Sequence, residues 1–120
     1  MKAVLKIRVS QAHYADNLAS GAYILELFGD AATELLIRQD GTEGLFRAYE
    51  VIDFLAPVRS GDFLEIEAEI IHVGKTSRKI RFEARKIIAA APTTKDLHAA
   101  HLLSQPVIVA TAIGTCVVKP

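Results

Sequence analysis

Glu26, Asp30 and Glu34 recur every fourth residue along an otherwise apolar run, which starts just after a polar cluster, His13-Tyr14-Ala15-Asp16-Asn17-Leu18-Ala19-Ser20-Gly21. A spacing of four places the three carboxylates on one flank of a helix, beside a Leu27, Ala31 and Leu35 stripe. Carboxylates held in this way can move protons. The free N–H groups and the dipole at a helix start can hold a developing negative charge. Together these features suit acid/base chemistry on a carbonyl compound. Asp30 stands between Gly29 and Ala31, small neighbours that leave room for a ligand, whereas Glu34 can pair with Arg38 and Glu26 reads as a solvated group. His13 lies in a strand-to-helix connection, where it can shuttle a proton near neutral pH or serve as a hydrogen-bonded structural histidine.

Other clusters narrow the choice. His72, His98 and His101 show no metal-ligand spacing with acidic or cysteine partners, so no zinc site is expected. The densest basic stretch is Gly74-Lys75-Thr76-Ser77-Arg78-Lys79, followed by Arg81, Arg85 and Lys86. It reads either as a solvated sheet face or as a cradle for the phosphates of a nucleotide-bearing ligand. There is no Walker loop, no GxGxxG run and no GxSxG elbow, which disfavours nucleoside triphosphate hydrolysis, Rossmann-type binding and elbow-type serine hydrolysis.

The elements that must position these groups follow from periodicity. Leu5, Ile7 and Val9 alternate with Lys6 and Arg8 as in a half-buried strand. Asp16, Asn17 and Ser20 are helix N-cap candidates, and Ile24, Leu27, Phe28, Ala31, Leu35 and Arg38 then fall at helical steps. Gly29 inside this helix suggests a close-packed neighbour. Turn chemistry at residues 39–44 ends the helix. Strands are expected at residues 45–55, 63–73, 77–88 and 107–118, with residues 89–106, including His98 and His101, as a long loop. The order predicts an α+β domain over residues 1–120, one long helix packed on a five-stranded antiparallel sheet. One helix protects only part of such a sheet, so a homodimer or a multiple of dimers is expected.

Bulk properties agree with a globular chain: 51% hydrophobic and 23% charged residues. The 14 basic and 14 acidic residues cancel, which provides no electrostatic case for nucleic acid or an anionic membrane. No apolar run reaches the ~18 residues of a spanning helix. The charged N-terminal residues do not resemble a signal peptide, and the single Cys116 suits a reducing compartment, so a cytoplasmic protein is expected.

Four segments together carry a family resemblance: residues 13–21, residues 28–36, Phe54-Leu55-Ala56-Pro57-Val58-Arg59-Ser60-Gly61-Asp62 and Val73-Gly74-Lys75-Thr76-Ser77. They resemble the hotdog-fold acyl-CoA enzymes. The runs His13-Tyr14-x-x-Asn17-Leu18-x-x-Gly21 and Gly29-Asp30-x-x-Thr33-Glu34-Leu35 are similar to those of the aminoacyl-CoA ammonia-lyases within that superfamily. The resemblance implies a hotdog fold and the reversible loss of ammonia from a short 3-aminoacyl-CoA, an activity of lysine fermentation, with coenzyme A as part of the substrate and no other cofactor. It implies Asp30 as base at the α-carbon, with Glu34 or His13 managing the ammonium proton, and Tyr14 and Asn17 shaping the pocket. Backbone N–H groups between Leu18 and Gly21 would form an oxyanion site, and Lys75, Ser77, Arg78 and Lys79 would hold CoA phosphates. The rival is a hotdog acyl-CoA thioesterase. In the thioesterases resembled here an Asn aligns with His13 and the catalytic acid stands near Phe28, two residues before Asp30.

Overall fold

Strand-period and helix-period segments follow one another in the order the sequence predicts, and a computed structural model describes residues 1–119. The elements are β1 (Lys2–Arg8), α1 (Gly21–Asp40), β2 (Leu45–Phe54), β3 (Phe63–Val73), β4 (Ser77–Ala90) and β5 (Ala100–Val117). The five strands form one sheet in the order β1-β3-β4-β5-β2, with every neighbouring pair antiparallel.

Period-two alternation decides which side of the sheet faces α1. Leu64, Ile66 and Ala68 of β3, Ile80, Phe82 and Ala84 of β4, and Ala110, Ala112 and Cys116 of β5 are buried. Their odd-numbered neighbours Glu65, Glu67, Glu69, Arg81 and Arg85 pair with one another and with β1 lysines on the open face. The helix supplies the other half of the core through Tyr23, Ile24, Leu27, Phe28, Ala31, Leu35 and Leu36. Phe28 stacks on Phe82 with ring centroids 5.0 Å apart. Burying one such side chain stabilises by about 1.5–3 kcal/mol. α1 lies mainly across β3 and β1, and the inner residues of β2, Phe46, Tyr49 and Ile52, stay only partly buried.

Both helix ends have chemical causes. Ser20, extended at φ −78° and ψ 158°, accepts the Tyr23 N–H at 3.2 Å and caps the start. Gly41, left-handed at φ 70°, donates its N–H to Ile37 O at 2.9 Å and closes the end. Inside the helix, an added Cβ at Gly29 would meet nothing within 4 Å. The close neighbour expected there is therefore absent within the described residues of one chain.

The connection between β4 and β5 corrects a second expectation. Residues 89–106 are not one loop: Ala89 pairs with His101 and Ala90 with Ala100, so the hairpin continues and only residues 91–99 connect the strands. His101 lies in β5, while His98 lies in the connection. Lys86 faces Val107 and Ile88 faces Leu102, so residues 103–106 bulge opposite Ile87. Pro106 has no N–H to give the ladder and belongs at such an interruption. Its presence and the short alanine runs mask the alternation that would otherwise reveal the strand.

Candidate active site at the helix entrance

The chain enters α1 through a tight loop. Asp16 and Asn17 are both left-handed, at φ 62° and 57°. Two consecutive non-glycine residues there cost about 1–3 kcal/mol each and persist only where surroundings hold them. The hold is an antiparallel bridge between Leu18 and Arg59. Around it Ala19 N–H donates to Val58 O at 2.8 Å, Ser60 N–H to Asn17 O at 2.9 Å, and Arg59 pairs with Asp16 at 2.8 Å.

His13 closes the loop back on the helix. Ser20 N–H donates to its Nδ1 at 3.1 Å, and Nε2 lies 3.2 Å from Gln11 Oε1. Accepting at Nδ1 sets the neutral tautomer with hydrogen on Nε2, which faces the Gln11 oxygen, so the ring takes up a proton only when the Nδ1 contact with Ser20 opens. The ring also packs 5.9 Å from Tyr23. These contacts narrow the expected oxyanion donors. Leu18, Ala19 and Ser20 N–H groups are committed to Ala15 O, Val58 O and His13. Gly21 and Ala22, at the first turn, have no acceptor among the described residues and are the free donors.

A cavity of about 430 Å³ opens at that point, between Tyr14, Ser20, Gly21 and Ile24 on one side and Phe54, Pro57 and Val109 on the other. Its lining is mainly apolar, suited to a short acyl group. A Cβ on Gly21 would fall 2.6 Å from Phe54 Cζ, so the missing side chain lets the Phe54 ring lie against the helix start.

The opposite wall is built around Asp62, which is 1% exposed. Its Oδ2 accepts Arg59 N–H at 2.8 Å and its Oδ1 accepts Ala90 N–H at 2.8 Å. Lys86 Nζ lies 3.1 Å from Asp62 Oδ2 and donates to Pro57 O at 2.8 Å. Lys86 thus staples the turn of residues 57–62 to β4. The sequence does carry a signal for this, because Lys86 shares its parity with the inward Ile80, Phe82 and Ala84.

The remaining candidates do not all converge. Tyr14 and Gly21 line the entrance cavity and His13 is tied to the helix start through Ser20 N–H, whereas Asn17 lines a different cavity on the far side of the Leu18–Arg59 bridge. Asp30 is exposed and has no partner among the described residues; it lies about 13 Å farther along the helix axis than Gly21. Glu34 pairs with Arg38 at 3.1 Å, and Glu26 is solvated. The basic turn is farther still, at the opposite end of a helix about 30 Å long. There Arg78 donates to both Asp40 oxygens, at 2.8 and 2.9 Å, and to Gly74 and Ser77 carbonyls. Hydrogen bonding to Asp40 holds the guanidinium charged even more firmly than usual. Arg78 is therefore a staple on the helix C-terminus and has little left for a phosphate. Lys79 faces the other side of the sheet and pairs with Glu50 at 2.7 Å; Lys75 is exposed and Ser77 half-buried beneath Gly74. The four expected phosphate donors do not form one surface.

On the inner face, burial pushes the Tyr49 phenol up to about 12 and the Cys116 thiol up to about 11. The described residues contain no group of three or more His, Cys, Asp or Glu able to hold a metal ion, and no helix long and apolar enough to cross a membrane.

One long helix lying along a five-stranded antiparallel sheet, with a ligand-sized cavity at the helix entrance, is the hotdog arrangement. The chain belongs to the Thioesterase superfamily, whose family model matches residues 16–87. It is 53% identical to the 3-aminobutyryl-CoA ammonia lyase of Acetoanaerobium sticklandii, over 98% of this chain and 94% of that protein. The structure is similar to the β-alanyl-CoA:ammonia lyase from Clostridium propionicum, with a TM-score of 0.92 and 37% identity over 98% of this chain and 85% of that one. A hexameric thioesterase from Yersinia pestis shares the fold, with a TM-score of 0.77 at 16% identity over 97% and 85% of the two chains.

Proposed function

We propose that this protein is a carbon–nitrogen lyase that reversibly eliminates ammonia from a short 3-aminoacyl-CoA, taking 3-aminobutyryl-CoA to crotonyl-CoA. The near full-length likeness to the Acetoanaerobium sticklandii ammonia lyase carries this reading. The helix entrance suits the chemistry. A thioester acidifies its α-hydrogen, and the enolate oxygen formed on deprotonation finds two free donors in the Gly21 and Ala22 N–H groups. One such donor contributes about 3 kcal/mol where it has been removed from other enzymes. Asp30, unpaired and exposed, is the base at the α-carbon. Glu34 or His13 manages the proton of the leaving ammonia. The CoA ester is itself the substrate, and the elimination requires no redox step.

Asp30 and the acyl cavity of one chain are about 13 Å apart along α1, so the reading places two copies around each site. A homodimer, or a multiple of it, brings the helix flank of one copy to the entrance of the other. The β2 edge supports this, because Leu45, Val51 and Phe54 are exposed on the strand whose inner residues Phe46, Tyr49 and Ile52 are only partly buried. A reducing cytoplasm suits the free Cys116.

Hydrolysis of the thioester is the competing reading, favoured by the superfamily alone. Incubation with crotonyl-CoA and ammonium separates the two. Loss of enoyl absorbance with no free thiol supports the lyase; release of CoA thiol supports hydrolysis.

A further inference from the structure

We infer that His13 is a positioning residue, which decides which helix N–H groups the enolate oxygen meets and carries no proton in the reaction. The inference rests on the lyase reading and decides between its two proton carriers in favour of Glu34.

A helix begins with four N–H groups that find no partner inside it. In α1 they belong to Ser20, Gly21, Ala22 and Tyr23. The outer two are taken by side chains. Ser20 N–H donates to His13 Nδ1 at 3.1 Å, and Tyr23 N–H donates to Ser20 Oγ at 3.2 Å. The middle pair, Gly21 and Ala22, stays free, and Gly21 lines the acyl cavity. His13 and Ser20 therefore bracket the oxyanion position from both sides. Without the imidazole, Ser20 N–H would be a third free donor, and the oxygen could settle one residue too early. Such donors are effective only where the charge develops.

The ring's own contacts hold it to this role. Nε2 lies 3.2 Å from Gln11 Oε1, so the hydrogen stands there and the Nδ1 lone pair points at Ser20. A ring protonated on both nitrogens would meet Ser20 N–H donor to donor, beside the positive end of the helix dipole. Taking up the ammonia proton would thus break the contact that holds the helix entrance. The backbone fixes the ring as well: His13 and Tyr14 N–H groups both donate to Leu18 O, at 2.8 and 3.1 Å. The side-chain tie spans seven residues and encloses the left-handed Asp16 and Asn17. Glu34 carries no such burden. It pairs with Arg38 at 3.1 Å, one turn from Asp30 on the same flank. Acids at this spacing are neighbours and can reach adjoining atoms of one 3-aminoacyl chain. In ammonia addition Glu34 takes a proton from ammonium, and the freed electron pair forms the C–N bond at the β-carbon. The C=C pair moves into the enolate, and protonated Asp30 gives its proton to the α-carbon.

Asparagine separates the two roles, because its Oδ1 takes the place of Nδ1, accepts the same N–H and carries no proton. Ammonia addition to crotonyl-CoA is followed across pH for wild type, His13→Ala and His13→Asn. His13→Ala should lower kcat about 10²-fold, the scale of a misplaced reacting group, with KM nearly constant. His13→Asn should recover most of that loss and keep the shape of the wild-type pH profile. An Asn variant as slow as the Ala variant, or one whose profile has lost a limb, overturns the inference and leaves the lyase reading standing. An Ala variant as fast as wild type overturns it too. If His13→Ala fails to fold, wild type against His13→Asn decides alone. Should wild type add no ammonia, the lyase reading falls, and ¹⁵N spectra of the histidine rings decide, with His13 assigned by the signal lost in His13→Asn. Hydrogen on Nε2 with Nδ1 accepting upholds the bracket; hydrogen on Nδ1, or exchange between both tautomers, overturns it.

Discussion

Asp30 and Glu26 occupy the same exposed helix flank, one turn apart, and only chemistry distinguishes them. Asp30→Asn should therefore lower kcat for ammonia addition by about 10²-fold or more with little change in thermal midpoint. Glu26→Gln, measured beside it, should be indistinguishable from wild type in both respects. Equal losses in the two variants would show that the flank acts only through its charge. At Lys86 the expectation reverses. Lys86→Met leaves the carboxylate of Asp62 buried against Arg59 N–H and Ala90 N–H without its countercharge. Breaking a buried pair from one side costs about 3–5 kcal/mol, which denaturant unfolding measures directly. A shift below 1 kcal/mol would mean that the turn at residues 57–62 holds without the staple.

At the scale of elements, α1 is capped at both ends and carries one avoidable weakness. Gly29 has open space where a Cβ would go and an ordinary helical backbone. Gly29→Ala should raise stability by about 0.5–1 kcal/mol through the reduced entropy of the unfolded chain. A fall in stability accompanied by dissociation to monomer would instead place a second copy against this glycine. Most of the helix was legible in the sequence because its causes are local: Ser20 reaches three residues forward and Gly41 four residues back. The β4–β5 hairpin was legible only in part. Alternation could be followed to residue 88 and from 107 onward, but pairing of Ala89 with His101 depends on an interruption whose depth no local rule sets.

The whole molecule buries Cys116 and partly buries Tyr49 on the inner face as neutral groups. Their folded pKa values, about 11 for Cys116 and about 12 for Tyr49, lie above the ordinary values of 9.0 and 10.0. Stability from keeping them protonated is complete below pH 9 and is lost as pH rises through about 11 and then about 12. Thermal midpoints across that window should fall steeply, more so than for a Cys116→Ala, Tyr49→Phe double variant. Iodoacetamide at neutral pH should spare Cys116 until the chain unfolds, since the thiolate is the reactive form.

The sequence by itself determined the order of elements, the parity of β1 and β4, the candidate caps of α1 and the acids on its flank. Each of these is a matter of residues a few positions apart, within reach of period and propensity. Parity puts Arg78 and Lys86 on the inward side, but only the tertiary structure decided that they staple a helix end and a turn, although both sit in a stretch that reads as a basic surface. It also separated Asp30 from the helix entrance, removed Asn17 from the acyl cavity, and set Arg8 beside Arg59 across fifty residues of chain. Such distances come from register between strands and from which side chains a helix displaces, and they exist only once the chain has closed on itself.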